Sequence, residues 1–248
     1  MALSRILIQV CSIGALLLLW GLVAASLDSR VLPGPVEVFH VSVAALASGE
    51  LLYHLGITLA RVAVSFGLAM IIGSAIGLAM GRLERVDSFF DFWLILFLNI
   101  PALVTIILCY IWFGLGEVAA ILAVAINKVP NAAVTMREGA RALDRQYLDF
   151  ARVYRLSRWQ TLRHVVLPQL NPFFAATARS GLALVWKIVL VVELLGRSNG
   201  VGFQLNLFFQ LFDVASIFAY TIAFILVVQA IEVGVFIPWE RRANRWRP

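Results

Sequence analysis

The chain has little charge for its length. Of its 248 residues only 14% are charged, against roughly 25% in soluble domains, while 62% are hydrophobic and the mean hydropathy is +0.92. A globular core cannot absorb this much apolar side chain. The composition therefore excludes an ordinary soluble protein and predicts an integral membrane protein.

Residues and motifs that build chemical sites are also scarce. The two cysteines, Cys11 and Cys109, lie in apolar runs, which argues against a disulfide or a thiolate metal site. None of the three histidines has metal-ligand spacing; His40 and His54 are assigned outside and His164 to a cytoplasmic loop. No G-x-x-x-x-G-K-[ST] phosphate cradle and no G-x-S-x-G motif occurs. We therefore expect no enzyme activity, metal or cofactor on this chain.

What the chain does contain is a series of long apolar stretches. A membrane-spanning helix needs about 20 mainly apolar residues. The first stretch is longer than the apolar part of a secretory signal, so we expect an uncleaved anchor. The sequence predicts an all-α integral membrane protein that forms one domain over residues 1–248. Its six predicted spans are residues 6–25, 58–80, 89–113, 118–136, 172–195 and 216–237.

The arginines are distributed unevenly between the loops. The set of loops richer in arginine holds Arg5, Arg82, Arg85, seven arginines in 137–163 and four in 241–247. The opposite side holds only Arg30, Arg61 and Arg197. The positive-inside rule then puts both termini and the 137–163 loop in the cytoplasm. The net charge of +6 is thus a feature of membrane topology, and no nucleic-acid partner is expected.

Between the first two spans, apolar residues recur at helical spacing after two prolines and before Gly49. This pattern predicts a short helix on the outer membrane surface. The apolar residues are Val36, Phe39, Val43 and Leu46.

A charged loop over residues 137–168 keeps apolar positions three or four residues apart, which predicts a short helix with one apolar face. Ser157 is placed to cap a second helix that starts near Arg158. Leu167-Pro168 is expected to end that helix, because the residue before a proline avoids helical geometry. The residues alone allow two interpretations: a helix-turn-helix with a specific role, or a basic loop held by anionic lipid.

The spacing in this loop resembles the coupling loop of ABC importer permeases, which reads Glu-Ala-Ala, three residues, Gly, nine residues, Ile-x-Leu-Pro. Here Asp149-Phe150-Ala151 is followed by Arg155 and, after nine residues, by 165–168, Val-Val-Leu-Pro. Phe150 replaces a small alanine, and Arg155 replaces a glycine that suits a turn with positive φ. Shorter strings at 112–117, 186–189, 193–196 and 198–202 are similar to the nitrate/sulfonate/taurine branch of this family.

This resemblance implies a type I ABC importer permease with the MetI-like fold. It implies a cytoplasmic ATPase that holds ATP and Mg²⁺, a second permease copy, a periplasmic binding protein and a place in the bacterial inner membrane. The expected cargo is a small anion: a sulfonate, taurine, nitrate or an organic acid. The residues expected to contact the ATPase are Asp149, Phe150, Ala151, Arg155, Leu167 and Pro168.

The only two lysines, Lys128 and Lys187, lie inside predicted spans. A cation at the bilayer centre costs roughly 2.5–3.5 kcal/mol even on a lenient scale, so such residues normally face the bundle interior or a water-filled path. Both are therefore candidates for attracting an anion along the translocation path. Alternatively, Lys187 snorkels or pairs with Glu193 of a neighbouring subunit, and Lys128 donates a hydrogen bond to Asn127, Asn131 or a facing carbonyl.

Three further polar positions interrupt the apolar runs. Asn99, before Ile100-Pro101, either lines the path or marks a kink. Glu193 is a path candidate, and like Glu117 it is also placed to dock a delivering protein or cap a helix end. Arg179 is expected to snorkel or to tie its span to the coupling loop.

Two other classes of function compete with the importer. A secondary anion transporter or channel would use Lys128 and Lys187 as a relay, but it does not explain the loop spacing, and no internal repeat supports it. An intramembrane enzyme would need carboxylates or histidines clustered at one membrane face, and the sequence has no such cluster.

Overall fold

The computed structural model describes residues 2–27 and 31–243, and every regular element in these residues is helical. Arg30, Arg245 and Arg247, which entered the topology prediction, lie outside the described residues. The helices in the described ranges are α1 (Ala2–Ser26), α2 (Pro35–Ala47), α3 (Glu50–Arg82), α4 (Glu84–Asn99), α5 (Ala102–Phe113), α6 (Glu117–Arg141), α7 (Arg145–Val153), α8 (Arg158–Thr161), α9 (Leu167–Gly196), α10 (Val201–Gln210), α11 (Val214–Ile231) and α12 (Ile237–Ala243).

Several helices are long and apolar enough to cross a membrane. Within the described residues these are α3, α6 and the continuous segment Val214–Ala243, and the bent pair α4–α5 adds a fourth if it counts as one span. The helix that contains the predicted second span, residues 58–80, is longer than that span, because α3 begins at Glu50. His54, predicted to lie outside the span, is consequently a buried residue of α3.

The predicted third span, residues 89–113, is not one helix. It breaks between α4 and α5, whose axes differ by 97°. Pro101 has no backbone N–H, and Ile100 before it adopts an extended conformation, so the helical hydrogen bonds cannot continue. Asn99 ends α4 by donating from its side-chain amide to the carbonyl of Ile95, at 2.7 Å. Asn99-Ile100-Pro101 therefore marks a kink, which was one of the two predicted roles of this tripeptide.

Three glycines on α3 allow an unusually close approach to α6. A Cβ atom added at Gly77 would lie 2.3 Å from the carbonyl oxygen of Ala133, and one at Gly73 would lie 2.6 Å from the Cβ of Ala132. Gly81 faces α6 in the same way. Glycines spaced four residues apart let two helix backbones pack directly in a membrane, which explains why α3 and α6 form the most extensive helix pair.

The predicted short helix between the first two spans is confirmed as α2, and its place on the outer membrane surface stays a prediction. Pro35 occupies its first turn, where a missing N–H is harmless, and Gly49 follows it with a positive φ of 80°. Its apolar residues Val36 and Phe39 are exposed, while Val38 is buried and the helix packs against α11. The apolar face is thus free to contact lipid.

Two hydrophobic clusters matter for the functional site. The larger one lies among α3, α5, α6, α9 and α11 and includes Val124, Val189 and Tyr220. A smaller one joins the end of α6 to the start of α9 through Met136 and Leu170. It also contains Leu143 and Val166, at the two ends of the charged loop, and so fixes that loop to the helices.

Candidate functional site

The charged loop folds as two short helices with defined caps. The side chain of Asp144 accepts a hydrogen bond from the backbone N of Gln146, at 2.8 Å, and begins α7. Ser157 and Gln160 form a capping box at the start of α8, with each side chain bonded to the other residue's backbone. The helix-turn-helix and the capping role of Ser157 are therefore confirmed.

Arg155 takes the backbone conformation that the resemblance assigns to a glycine. Its φ is +48°, in the left-handed region. Around it, Leu156 N donates to Ala151 O at 2.9 Å and Arg155 N donates to Arg152 O at 3.0 Å. These two bonds form a Schellman C-cap, which normally has glycine at this position. The turn therefore survives the replacement of glycine by arginine, although the side chain makes it less favourable.

Leu167-Pro168 does not end the second helix, contrary to the prediction. Residues Leu162–Val166 form a π-helical turn that leads directly into α9, with Leu167 N bonded to Leu162 O. A wider turn before a proline re-pairs the backbone groups that the ring leaves without partners. The chain repeats this solution at Glu232–Phe236, two residues before Pro238. The loop is thus continuous with α9.

The predicted ATPase-contacting residues divide into one anchor and five exposed groups. Ala151 is only 2% exposed and holds α7 against the rest of the protein. Phe150 is 55% exposed, and its ring packs on that of Tyr154 with centroids 4.2 Å apart. The other exposed members are Asp149, which pairs with Arg152 at 2.9 Å, together with Arg155, Leu167 and Pro168.

The apolar surface of the loop continues beyond these residues. Tyr147, Val153 and Trp159 are also largely exposed. A soluble surface seldom leaves so many large apolar and aromatic side chains together without a binding partner. The arginines between them give this surface a positive rim.

At the other end of the bundle, Arg61 is the centre of a buried ion network that the sequence did not reveal. Its guanidinium binds both carboxylate oxygens of Glu117, at 2.6 and 2.8 Å, and one oxygen of Glu193, at 2.6 Å. It also donates to the carbonyl and side-chain oxygens of Asn199. Arg197 adds a second contact to Glu117, at 2.7 Å. The network joins α3, α6, α9 and the loop before α10.

Glu193 is fully buried, and its second oxygen is also occupied. That oxygen accepts from Thr58 Oγ1 and from Gly202 N, both at 2.9 Å. Gly200 lies directly above the carboxylate with φ +104°, where an added Cβ would come within 2.3 Å of the carboxyl carbon. The glycines of the 198–202 string are therefore explained by the approach of this loop to Glu193. A path role for Glu193 stays a prediction.

His54 extends this network toward α10. Gly200 N donates to His54 Nδ1 at 3.0 Å, so the neutral ring carries its proton on Nε2. Nε2 lies 2.7 Å from the side-chain amide of Gln204, whose oxygen is the matching acceptor. The one sequence signal for the network was a lone arginine in a span, with two glutamates near the outer ends of other spans.

The four predicted path residues do not meet in one site. Lys128 is buried between α6 and α9, whereas Lys187 and Asn99 are exposed on the surface of this single chain. Within this chain Glu193 belongs to the Arg61 network, and the pairing of Lys187 with Glu193 of a neighbouring subunit stays a prediction. Whether these residues line a path stays a prediction.

Arg179 and an apolar groove lie outside these two sites. Arg179 ties α9 to the end of the chain through Glu232 and Glu240, at 3.0 and 2.6 Å, and not to the loop as expected. A groove of about 540 Å³ between α3, α4 and α6 has an almost wholly apolar lining that includes Trp93 and Pro130. The described residues contain no group of His, Cys, Asp or Glu able to hold a metal ion.

Known proteins resemble this chain over most of its length. A family model described as "Binding-protein-dependent transport system inner membrane component" matches residues 69–237. An aliphatic sulfonates transport permease protein, SsuC, of Bacillus subtilis (strain 168) is 30% identical over 89% of this chain and 79% of its own length. The taurine transport system permease protein TauC of Escherichia coli (strain K12) is 25% identical over 98% of this chain and 90% of its own length.

A solved structure shares the fold. A chain of the MetNI methionine ABC transporter, in an inward-facing conformation, superposes with a TM-score of 0.69 at 16% identity. The match covers 80% of this chain and 98% of the other. The MetI-like arrangement of helices expected from the resemblance is thereby confirmed.

Proposed function

The chain belongs to the family of inner-membrane components of binding-protein-dependent transport systems, in the nitrate/sulfonate/taurine branch of ABC importer permeases, and from this we propose that it forms the translocation path for a small anion. It is a multi-pass membrane subunit and not an enzyme. The observation that carries the importer role is the loop of α7 and α8. Both of its helices are capped, it is fixed to α9, and its outer face is apolar.

The loop is suited to passing motion between a soluble motor and the membrane helices. Ala151 and Val166 fix it to the protein, and the π-helical turn makes it continuous with α9. A force applied to the exposed face at Phe150 and Tyr154 therefore moves α9 with it. We propose that this face docks on a cytoplasmic ABC ATPase, which binds ATP and Mg²⁺, while this chain needs no cofactor of its own.

The proposed topology has six spans, with both termini and the loop in the cytoplasm of a bacterium and the whole chain, residues 1–248, acting as one permease domain. The uneven distribution of arginine supports this orientation. In it, the Arg61 network lies toward the periplasm. The remaining proposed partners are a second copy of the chain, a periplasmic binding protein and the surrounding lipid.

The proposed cargo is a small anion such as a sulfonate, taurine, nitrate or an organic acid. The relatives named for aliphatic sulfonates and taurine support the sulfonate group in particular. A cation buried inside the bundle, Lys128, is in keeping with an anionic cargo. The binding protein would select the cargo, and this subunit would carry it across.

The test is co-purification of an ATPase from gently solubilised membranes. We expect tagged wild-type chain to retain it and Asp149→Arg to lose it, because the change reverses a charge in the centre of the exposed loop face. Glu37→Arg, on exposed α2 at the other end, makes the same chemical change and should retain the ATPase. A wild-type chain that purifies alone and moves anions in liposomes without ATP would instead make it a secondary transporter or channel.

A further inference from the structure

Lys128 has a buried ammonium group for which the chain supplies no counter-charge. Its side chain is 2% exposed in the middle of α6. No hydrogen bond or ion pair joins it to any other residue in 2–27 or 31–243. Asn127 and Asn131 donate their amide N–H groups to the backbone of their own helix, and neither side-chain oxygen accepts from Lys128. The simple structural explanation for Lys128 is therefore absent.

The space that holds the ammonium group exists because residue 181 is a glycine. A Cβ atom added at Gly181 would lie 2.1 Å from both Cε and Nζ of Lys128. The ammonium group thus lies directly against the backbone of α9. This contact shows where the side chain is held in the observed conformation, at the junction of α6 and α9.

The carboxylates near this level of the bundle are bound to another cation: Glu232 and Glu240 pair with Arg179, two residues before Gly181 on α9. Along α6 the nearest are Glu138 and Glu117, ten and eleven residues away, which is about 15 Å of helix. On α9 the first is Glu193, twelve residues or about 18 Å beyond Gly181 and already bound to Arg61. The described helix α11, Val214–Ile231, has none, and α3 has none after its first residue, Glu50.

Neither a second copy nor the apolar groove supplies the missing charge. The Lys128 side chain is only 2% exposed even in the single chain, which leaves little of it for a second copy to contact. The groove lies on another face of α6, formed by Ala125, Val129 and Pro130 among others, and its lining offers an anion no polar group. An anion that reaches the α6–α9 junction during transport would supply a counter-charge.

We propose that Lys128 is the fixed cation that the transported anion binds inside the membrane, and that the Gly181 slot stores its ammonium group while the path is closed. The inference rests on the proposed function, because it needs α6 and α9 to part during the transport cycle. A sulfonate, carboxylate or nitrate oxygen between the two helices would make a charge-assisted hydrogen bond with the ammonium group. The same cation would reject positively charged solutes.

Transport in proteoliposomes that contain the permease, its ATPase and its binding protein tests this role. The probes are radiolabelled taurine and ethanesulfonate. We expect Lys128→Met to reduce uptake by about tenfold or more while ATP hydrolysis persists, since one partner of a buried charge pair is lost. Arg85→Met removes an exposed cation that has no proposed role in the path and should stay within about twofold of wild type. Undiminished uptake by Lys128→Met overturns the proposal.

Thermal unfolding of the detergent-solubilised complex separates this role from a structural one and needs no transport. Lys128→Met should unfold at the same or a higher temperature than wild type, because it removes an unpaired buried charge. Ethanesulfonate should raise the unfolding temperature of wild type and not of Lys128→Met. A variant that is clearly less stable, or an equal anion effect on both proteins, contradicts the inference. Wild-type vesicles that show no ATP-dependent uptake would count against the importer function instead, and the unfolding result would still decide the role of Lys128.

Discussion

At the scale of single residues, Arg155 shows how a family turn persists after losing its usual glycine. The sequence identified the position as a departure, and the structure shows the left-handed φ of +48° with both Schellman hydrogen bonds formed. The bonds from Leu156 and Arg155 to the end of α7 compensate for the side-chain strain. A residue pattern does not show whether capping hydrogen bonds offset such local strain.

Arg155→Gly should stabilise the chain. A left-handed conformation costs an ordinary L-residue roughly 1–2 kcal/mol, and the greater freedom of glycine when unfolded offsets roughly 0.5–1 kcal/mol of that gain. The unfolding temperature in detergent should therefore rise by a few degrees. Arg152→Gly, in the last turn of α7, is the matched control and should lower it. A lower unfolding temperature for Arg155→Gly would show that the arginine side chain contributes contacts of its own.

Arg61 is the second informative residue, because its importance depends on a meeting of distant segments. It binds Glu117, Glu193 and Asn199, which are 56, 132 and 138 residues away in sequence. The sequence showed that Glu117 and Glu193 approach the outer ends of spans. It could not show that one arginine neutralises both, since helix rotation decides which side chains face each other.

Arg61→Met should destabilise the protein strongly. Removing one partner of a buried ion pair leaves an uncompensated charge, here on the fully buried Glu193, at a cost of roughly 3–5 kcal/mol. Arg152→Met breaks an exposed pair with Asp149 and should cost about 1 kcal/mol or less. Chemical unfolding followed by tryptophan fluorescence measures both variants. Equal stabilities would mean that water already solvates the Arg61 network.

At the scale of helices, prolines and glycines determine where the predicted spans were right or wrong. The apolar runs located α3, α6 and α11 because length and hydropathy are local properties. Pro101 and Pro168 stand in similar sequences but have opposite effects. The chain bends by 97° at Pro101 and stays helical through Pro168. The difference is the π-helical turn before Pro168, which depends on packing beneath the loop and cannot be derived from the residue before a proline.

The α3–α6 contact provides a direct test at this scale. Gly77→Ala should weaken it by roughly 1–3 kcal/mol, because the added methyl group overlaps the backbone of Ala133. Gly67→Ala, on the same helix with open space around it, should be neutral or gain up to about 1 kcal/mol from better helix propensity. The readout is the unfolding temperature of each purified variant. Similar values for both variants would contradict the close packing.

At the scale of the whole molecule, composition and the loop spacing were enough to predict the class of protein and its family. Few charges, long apolar runs and clustered arginines require only counting, and the coupling-loop pattern is contiguous in sequence. The candidate site was less predictable. Phe150 and Ala151 are adjacent, yet one is exposed and the other is an anchor, and Lys128 and Lys187 likewise separate into a buried and an exposed residue.

These features combine into an account in which ATP hydrolysis on a separate subunit moves α9 through the α7–α8 loop. The rigid caps, the continuity of the loop with α9 and its exposed aromatic face all belong to one mechanical connection. A channel or a secondary transporter has no use for such a connection. Dependence of transport on ATP is therefore the property that distinguishes the account from its alternative.

The most direct measurement is uptake of a radiolabelled anion, the one retained by the co-purified binding protein, into proteoliposomes with and without the ATPase. The account predicts accumulation only when permease, ATPase, binding protein and ATP are all present, and its loss in Asp149→Arg although that variant folds normally. Accumulation by the permease alone, at the same rate with and without ATP, would contradict it.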